Sequence, residues 1–68
     1  TQSEDAFLER LALRQAINKL PEREATVINL RYFHGLTQQK VSILLDVSQV
    51  QISRIEKKAL EKLRELML

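Results

Sequence analysis

Apolar residues recur along this chain at intervals of three and four, and no segment alternates apolar and polar positions as a strand would. The most telling stretch is residues 36–63, L-T-Q-Q-K-V-S-I-L-L-D-V-S-Q-V-Q-I-S-R-I-E-K-K-A-L-E-K-L. Thr37 can cap a short helix on which Val41, Leu44 and Leu45 share one stripe. Asp46 tolerates the left-handed backbone that ends a helix, Val47 can plug the corner, and Ser48 with Gln51 three residues later forms a capping box for the next helix. Two helices joined by so tight a turn make a helix-turn-helix. Beyond Ser48, Ile52, Ile55, Ala59, Leu63 and Leu66 trace the buried stripe of a long amphipathic helix.

Upstream, a first helix is expected over residues 3–19, with Thr1 and Glu4 at capping-box spacing and Glu4 and Asp5 near its positive end. Ala6, Leu13, Ala16, Ile17 and Leu20 form one apolar side. Phe7, Leu8 and Leu11 project from a second sector, and surplus apolar area on so small a domain marks a contact surface unless Phe7 folds over the core edge. Pro21 suits the first turn of a second helix running to residue 33, with Glu22 and Glu24 complementing its start. Val27, Ile28, Leu30 and Tyr32 supply its packing, while Arg23 and Arg31 share a lateral side. Gly35, after His34, can take the positive φ that ends this helix. Ile43 points nearly opposite to Val41 and Leu45, so with Leu44 it makes a small apolar surface, unless the helix is rotated to bury it.

The expected fold is all-α: one domain over 1–68, a small bundle of about four helices containing a helix-turn-helix, of the winged-helix-like, DNA/RNA-binding three-helical type. Its parts are a leading helix (1–20), a second helix (21–33) and the helix-turn-helix (37–66), whose second helix starts at 48. At 68 residues there is little core to spare, so modest stability is expected. The chain begins on a helix-forming segment without Met and is expected to be the C-terminal piece of a longer protein.

Composition narrows the function. There is no cysteine, which excludes disulfides and thiolate zinc sites and fits a reducing cytoplasm. No apolar run approaches a membrane span and no signal-peptide pattern is present. His34, the single histidine, has no neighbouring ligands for a metal. No nucleophile set, carboxylate pair or glycine-rich phosphate loop appears, so neither an enzyme nor a small-molecule or cofactor site is expected. Net charge is +2, from eleven basic and nine acidic residues, a weak overall pull toward nucleic acid. Distribution matters more, because Arg23, Arg31, Lys40, Arg54, Lys57 and Lys58 can gather around the second helix of the motif.

That helix presents Gln49, Val50, Ser53, Arg54 and Lys57 away from its apolar stripe, near its N-terminus. Gln and Arg make paired hydrogen bonds to base edges, and the N-terminal part of a recognition helix enters the major groove. A solvated face that touches nothing is the plain alternative.

These residues resemble region 4 of bacterial sigma factors of the sigma-70 family. The likeness runs from L-P-E-R-E-A-T-V-I-N-L-R-Y-F (residues 20–33), through T-x-x-x-V-x-x-x-L-D-V-S (37–48), to Q-I-S-R-I-E-K-K-A-L-E-K-L-R (51–64), about two thirds of the chain. S-Q-V-Q-I-S-R-I-E-K-K-A-L is most similar to sporulation and stress-type alternative sigma factors; a primary sigma factor usually has Arg-Glu-Arg in place of Gln49, Val50 and Gln51. The resemblance implies recognition of the double-stranded promoter −35 element and docking on the β flap of RNA polymerase. It implies base contacts at Gln49, Val50, Ser53 and Arg54, and contacts to phosphates or groove walls at Arg23, Arg31, Gln38, Lys40 and Lys58, with Lys57 beside them. Lys40 departs from the acidic residue often found there, which favours a backbone contact. Phe7, Leu8 and Leu11 are compatible with the polymerase contact. Ile43 and Leu44 are candidates for an anti-sigma factor, the polymerase or a second copy of the chain. Two other readings share part of this pattern: the DNA-binding domain of a LuxR-type response regulator, which tends to carry T-V-K-x-H in its recognition helix, and a helical module that binds protein without touching DNA.

Overall fold

The computed structural model describes residues 2–68. In order these form α1 (Gln2–Asn18), α2 (Glu22–Ile28), a π-helical turn (Asn29–Phe33), α3 (Gln38–Leu45) and α4 (Gln49–Leu66). Among the described residues there is no strand, so the three-helix motif carries no wing.

Local chemistry sets most of the boundaries. The Thr37 hydroxyl accepts the Lys40 N–H at 3.1 Å and starts α3. Asp46 ends it in the left-handed region (φ 55°, ψ 47°), letting the Val47 N–H reach the Ser42 carbonyl at 3.1 Å. Ser48 and Gln51 form the reciprocal capping box of α4, at 3.1 Å (Gln51 N–H to Ser48 Oγ) and 3.4 Å (Ser48 N–H to Gln51 Oε1). Gly35 has φ +68°, as its exit role requires. Pro21 stands one position earlier than expected, in the cap rather than the first turn, where its extended backbone offers its carbonyl to the Ala25 N–H at 2.9 Å. The proposed Thr1 cap of α1 lies outside the described residues.

The second helix does run to Phe33, but not as α-helix throughout. From Asn29 it widens to π geometry, closed by the His34 N–H on the Asn29 carbonyl at 3.1 Å. The Leu36 N–H then returns to the Leu30 carbonyl at 3.0 Å. This loosened turn carries Arg31, Tyr32 and Phe33 onto α4.

Two apolar clusters hold the bundle. Ala16, Ile17, Leu20, Ile28, Ala59 and Leu63 seat the C-terminal half of α1 and α2 on α4. Val27, Val41 and Ile52, with Leu30, Leu36, Leu45, Val47 and Ile55 around them, lock the helix-turn-helix. Burying each of these large side chains contributes about 1.5–3 kcal/mol. The N-terminal half of α1, Ala6 included, stays outside this packing.

Besides Ala6, the stripes differ from expectation in three places. On α3 the buried positions are Val41 and Ser42 with Leu45 half-buried, whereas Leu44 is 63% exposed. The roll is possible because the Ser42 hydroxyl is satisfied by the Gln39 carbonyl at 2.6 Å, so it enters the interior without a desolvation penalty. Leu66 is exposed, on the wall of a groove it shares with Ala12 and Ala16 of α1. Tyr32 is exposed as well; it contributes a hydroxyl rather than packing.

Candidate nucleic-acid interface

The first two turns of α4 present Gln49, Val50, Ser53 and Arg54 to solvent. They do so because Ile52, fully buried, and half-buried Ile55 fix the opposite side of the helix, and at about 100° per residue the others must point away. The capping box anchors the end from which these side chains project. Arg54 makes no ion pair with any described residue, so its donors face outward as an acceptor pair on a base edge would require.

Of the residues expected at phosphates, Arg23, Lys40, Lys57 and Lys58 are exposed. Arg23 lines a shallow groove with Glu22, Thr26 and Leu45, beside the C-terminal end of α3. Lys57 lines another, of about 470 Å³, with Gln38, Ser53 and Glu56.

Arg31 and Gln38, also expected at phosphates, are half-buried, and each bonds within the protein. Arg31 Nε donates to Glu56 Oε1 at 2.7 Å and its Nη1 to the Leu36 carbonyl at 2.8 Å. Gln38 Nε2 donates to the same Glu56 oxygen at 3.1 Å, and the Tyr32 hydroxyl donates to Oε2 at 2.8 Å. The Arg31 guanidinium also lies over the Tyr32 ring, 5.6 Å from its centroid. Burial pushes the Glu56 carboxyl up, but the hydrogen bonds from Arg31, Gln38 and Tyr32 outweigh it and hold the group below the usual carboxylate range. The same hydrogen bonds to Glu56 raise Arg31 and Tyr32 above their ordinary values.

Glu24 stands in the first turn of α2, as expected, and is buried there, with Oε2 bonded to Lys62 Nζ at 2.8 Å and Oε1 without a partner among the described residues. Neither Glu56 nor Glu24 stood out in the sequence as part of a site. A signal was available: Glu56 lies four residues after Ile52 and three before Ala59, on the apolar stripe, and Glu24 has the same relation to Leu20 and Val27. A carboxylate on such a track is buried and must be paired.

The expected protein-contact residues are all exposed. Phe7, Leu8 and Leu11 lie on the undocked part of α1, and Ile43 and Leu44 lie side by side on α3. Sequence reasoning missed a further apolar groove, about 230 Å³, lined by Leu13, Tyr32, Phe33, Leu60 and Leu63 between α1, the π turn and α4. Arg14 covers its edge, 4.7 Å from the Phe33 ring centroid.

Residues 16–65 match the family model described as Sigma-70, region 4. The chain belongs to that family. The match takes in only the last three residues of α1 but nearly all of α4, so the helix-turn-helix, both carboxylate networks and most of the apolar groove fall within region 4. Among curated proteins the chain is similar to the RNA polymerase sigma-F factor of Bacillus licheniformis, 44% identical over 97% of this chain and 26% of that protein. It is equally identical, 44%, to the sigma-F factor of Bacillus subtilis (strain 168), over 91% of this chain and 24% of the relative. The RNA polymerase sigma-G factor of Clostridium acetobutylicum is 37% identical over 91% of this chain and 24% of its own length. The chain therefore spans about a quarter of the length of the curated relatives it matches. No solved structure matches it. The sigma-70 resemblance read from the sequence is the family found, and the response-regulator alternative is not favoured. Among the described residues no helix is long and apolar enough to cross a membrane.

Proposed function

We propose that the chain reads the promoter −35 element as the DNA-binding part of an alternative RNA polymerase sigma factor, working beside the polymerase in the cytoplasm. The observation that carries this reading is the exposed N-terminal face of α4, where Gln49, Val50, Ser53 and Arg54 stand together on a helix whose rotation is fixed from behind by Ile52. Arg54 is the principal base reader, its guanidinium suited to the acceptor pair of guanine. Lys57, Lys58, Lys40 and Arg23 set register on phosphates.

The mechanism is that of an adaptor. Base contacts choose the site, phosphate contacts orient the domain, and apolar contacts tie that choice to the polymerase core through its β flap. Phe7, Leu8 and Leu11, together with the groove beside Phe33, offer the apolar surface for that docking. Ile43 and Leu44 make a separate apolar spot, suited to an anti-sigma factor.

Selection from random-sequence duplexes by the chain tethered to polymerase core tests the reading. Recovery of one preferred motif, and transcription from templates that carry it, is the expected result. Recovery of unbiased sequences by a tethered chain that still binds polymerase would leave the protein-interaction module instead.

A further inference from the structure

We infer that Val50 selects a thymine by its C5-methyl group, one or two base pairs from the guanine read by Arg54, so that the preferred duplex carries a guanine and a thymine at that spacing. The inference rests on the promoter reading above and names what one part of that face selects.

Val50 is 59% exposed and is the only exposed apolar side chain between Gln49 and Lys57 of α4. Around it the same face carries Gln49, Ser53, Arg54 and Lys57, each of which can donate a hydrogen bond to a base edge or a phosphate. Its neighbour Gln51 is committed elsewhere, accepting the Ser48 N–H at 3.4 Å in the capping box. That box holds the backbone on which Val50 stands, and a β-branched side chain in a helix keeps one strongly preferred rotamer. The isopropyl group is therefore presented from a fixed point. It faces away from the bundle, because fully buried Ile52 lies on the opposite side of the helix.

The chemistry of the major groove limits what such a group can meet. Base edges there present hydrogen-bond donors and acceptors, and the apolar exception is the C5-methyl of thymine. An isopropyl group set against a donor or an acceptor strips it of water and returns no bond, which is costly. Set against the methyl, it removes apolar surface of both partners from water.

The register follows from the helix. Val50 and Arg54 are four residues apart, so they stand about one turn apart on one side and about 6 Å along the axis. Successive bases of a strand rise by about 3.4 Å. Contacts made by the two side chains thus fall one or two base pairs apart.

The test replaces each thymine of the selected duplex, one at a time, by deoxyuridine, which removes the C5-methyl and leaves the pairing edge intact. The wild-type chain should lose about fourfold in affinity at one such position, the scale of one buried methyl-sized group, and keep its affinity at the others. That position should lie one or two base pairs from the one at which Arg54→Ala loses its preference. Val50→Ala, with its fold checked by circular dichroism, should bind the thymine and uracil duplexes equally and retain the preference for guanine. The inference is overturned if the loss persists in Val50→Ala, or if it falls farther from the guanine than two base pairs. A wild-type chain without sequence preference defeats the promoter reading and this inference with it; a wild type that prefers the selected duplex but is indifferent to every uracil defeats the inference alone.

Discussion

Arg31 and Glu56 meet at 2.7 Å across 25 positions of sequence, and their contact joins the π-helical turn to the middle of α4. The Glu56 side chain is almost entirely out of water, so losing Arg31 leaves it with only the Tyr32 and Gln38 donors. Arg31→Met should lower stability by about 1.5–3 kcal/mol, the range for a hydrogen bond to a charged group. Urea denaturation checks this, and an unchanged midpoint would mean that the remaining bonds from Tyr32 and Gln38 suffice.

The same cluster sets a pH window. Because the Glu56 pKa is lowered on folding, its contribution is complete above the unfolded carboxyl value, about 4.3, and is lost as pH falls through the lower folded value. Tyr32 has the opposite sign: its raised pKa makes its contribution complete below about pH 10 and lost as pH rises through the folded value. The urea midpoint should therefore stay flat between these limits and fall beyond each. Glu56→Gln should soften the acid fall, and an identical acid profile in wild type and variant would assign the fall to other carboxylates.

Lys62 and Glu24 form a second contact, in which only the carboxylate is buried. Glu24 Oε1 already lacks a partner among the described residues, so Lys62→Met leaves the carboxylate wholly unpaired and should cost about 1–3 kcal/mol. Replacing both, Glu24→Leu with Lys62→Met, should recover most of that loss, since an apolar pair of similar volume often matches a buried ion pair. Thermal unfolding of the two variants decides it; a double variant less stable than Lys62→Met would refute the argument.

How much of this was legible in the sequence follows the reach of each interaction. The Thr37 cap, the Asp46 exit, the Ser48 and Gln51 capping box and the Gly35 turn are set by neighbours a few positions apart, and each was readable from residue types alone. The outward face of α4 was readable too, because an 18-residue helix averages its periodicity over several turns. On α3, with 8 residues, a roll between neighbouring faces decides which side chains are buried, and the satisfied hydroxyl of Ser42 let it displace Leu44. The π turn left no mark in the apolar spacing. The Glu56 network depends on partners 18 to 25 positions away, so Arg31 and Gln38 read as surface groups until the fold brought them to a carboxylate.

The apolar spot on α3 gives a prediction independent of DNA. Ile43 is 71% exposed, so Ile43→Glu should leave the unfolding midpoint within about 0.5 kcal/mol of wild type, as surface substitutions do. It should at the same time reduce capture of a cognate anti-sigma factor. A variant that folds and retains every partner would show that this surface is idle.

The central claim is that the exposed start of α4 reads bases while the lysines beyond it hold phosphates. Its most direct test is position-by-position binding to single-base variants of the selected duplex by wild type, Arg54→Ala and Lys58→Ala. The account predicts that Arg54→Ala loses preference at one base position, by about 1–3 kcal/mol, while Lys58→Ala weakens all the duplexes alike. Base preferences unchanged at every position in Arg54→Ala would contradict it.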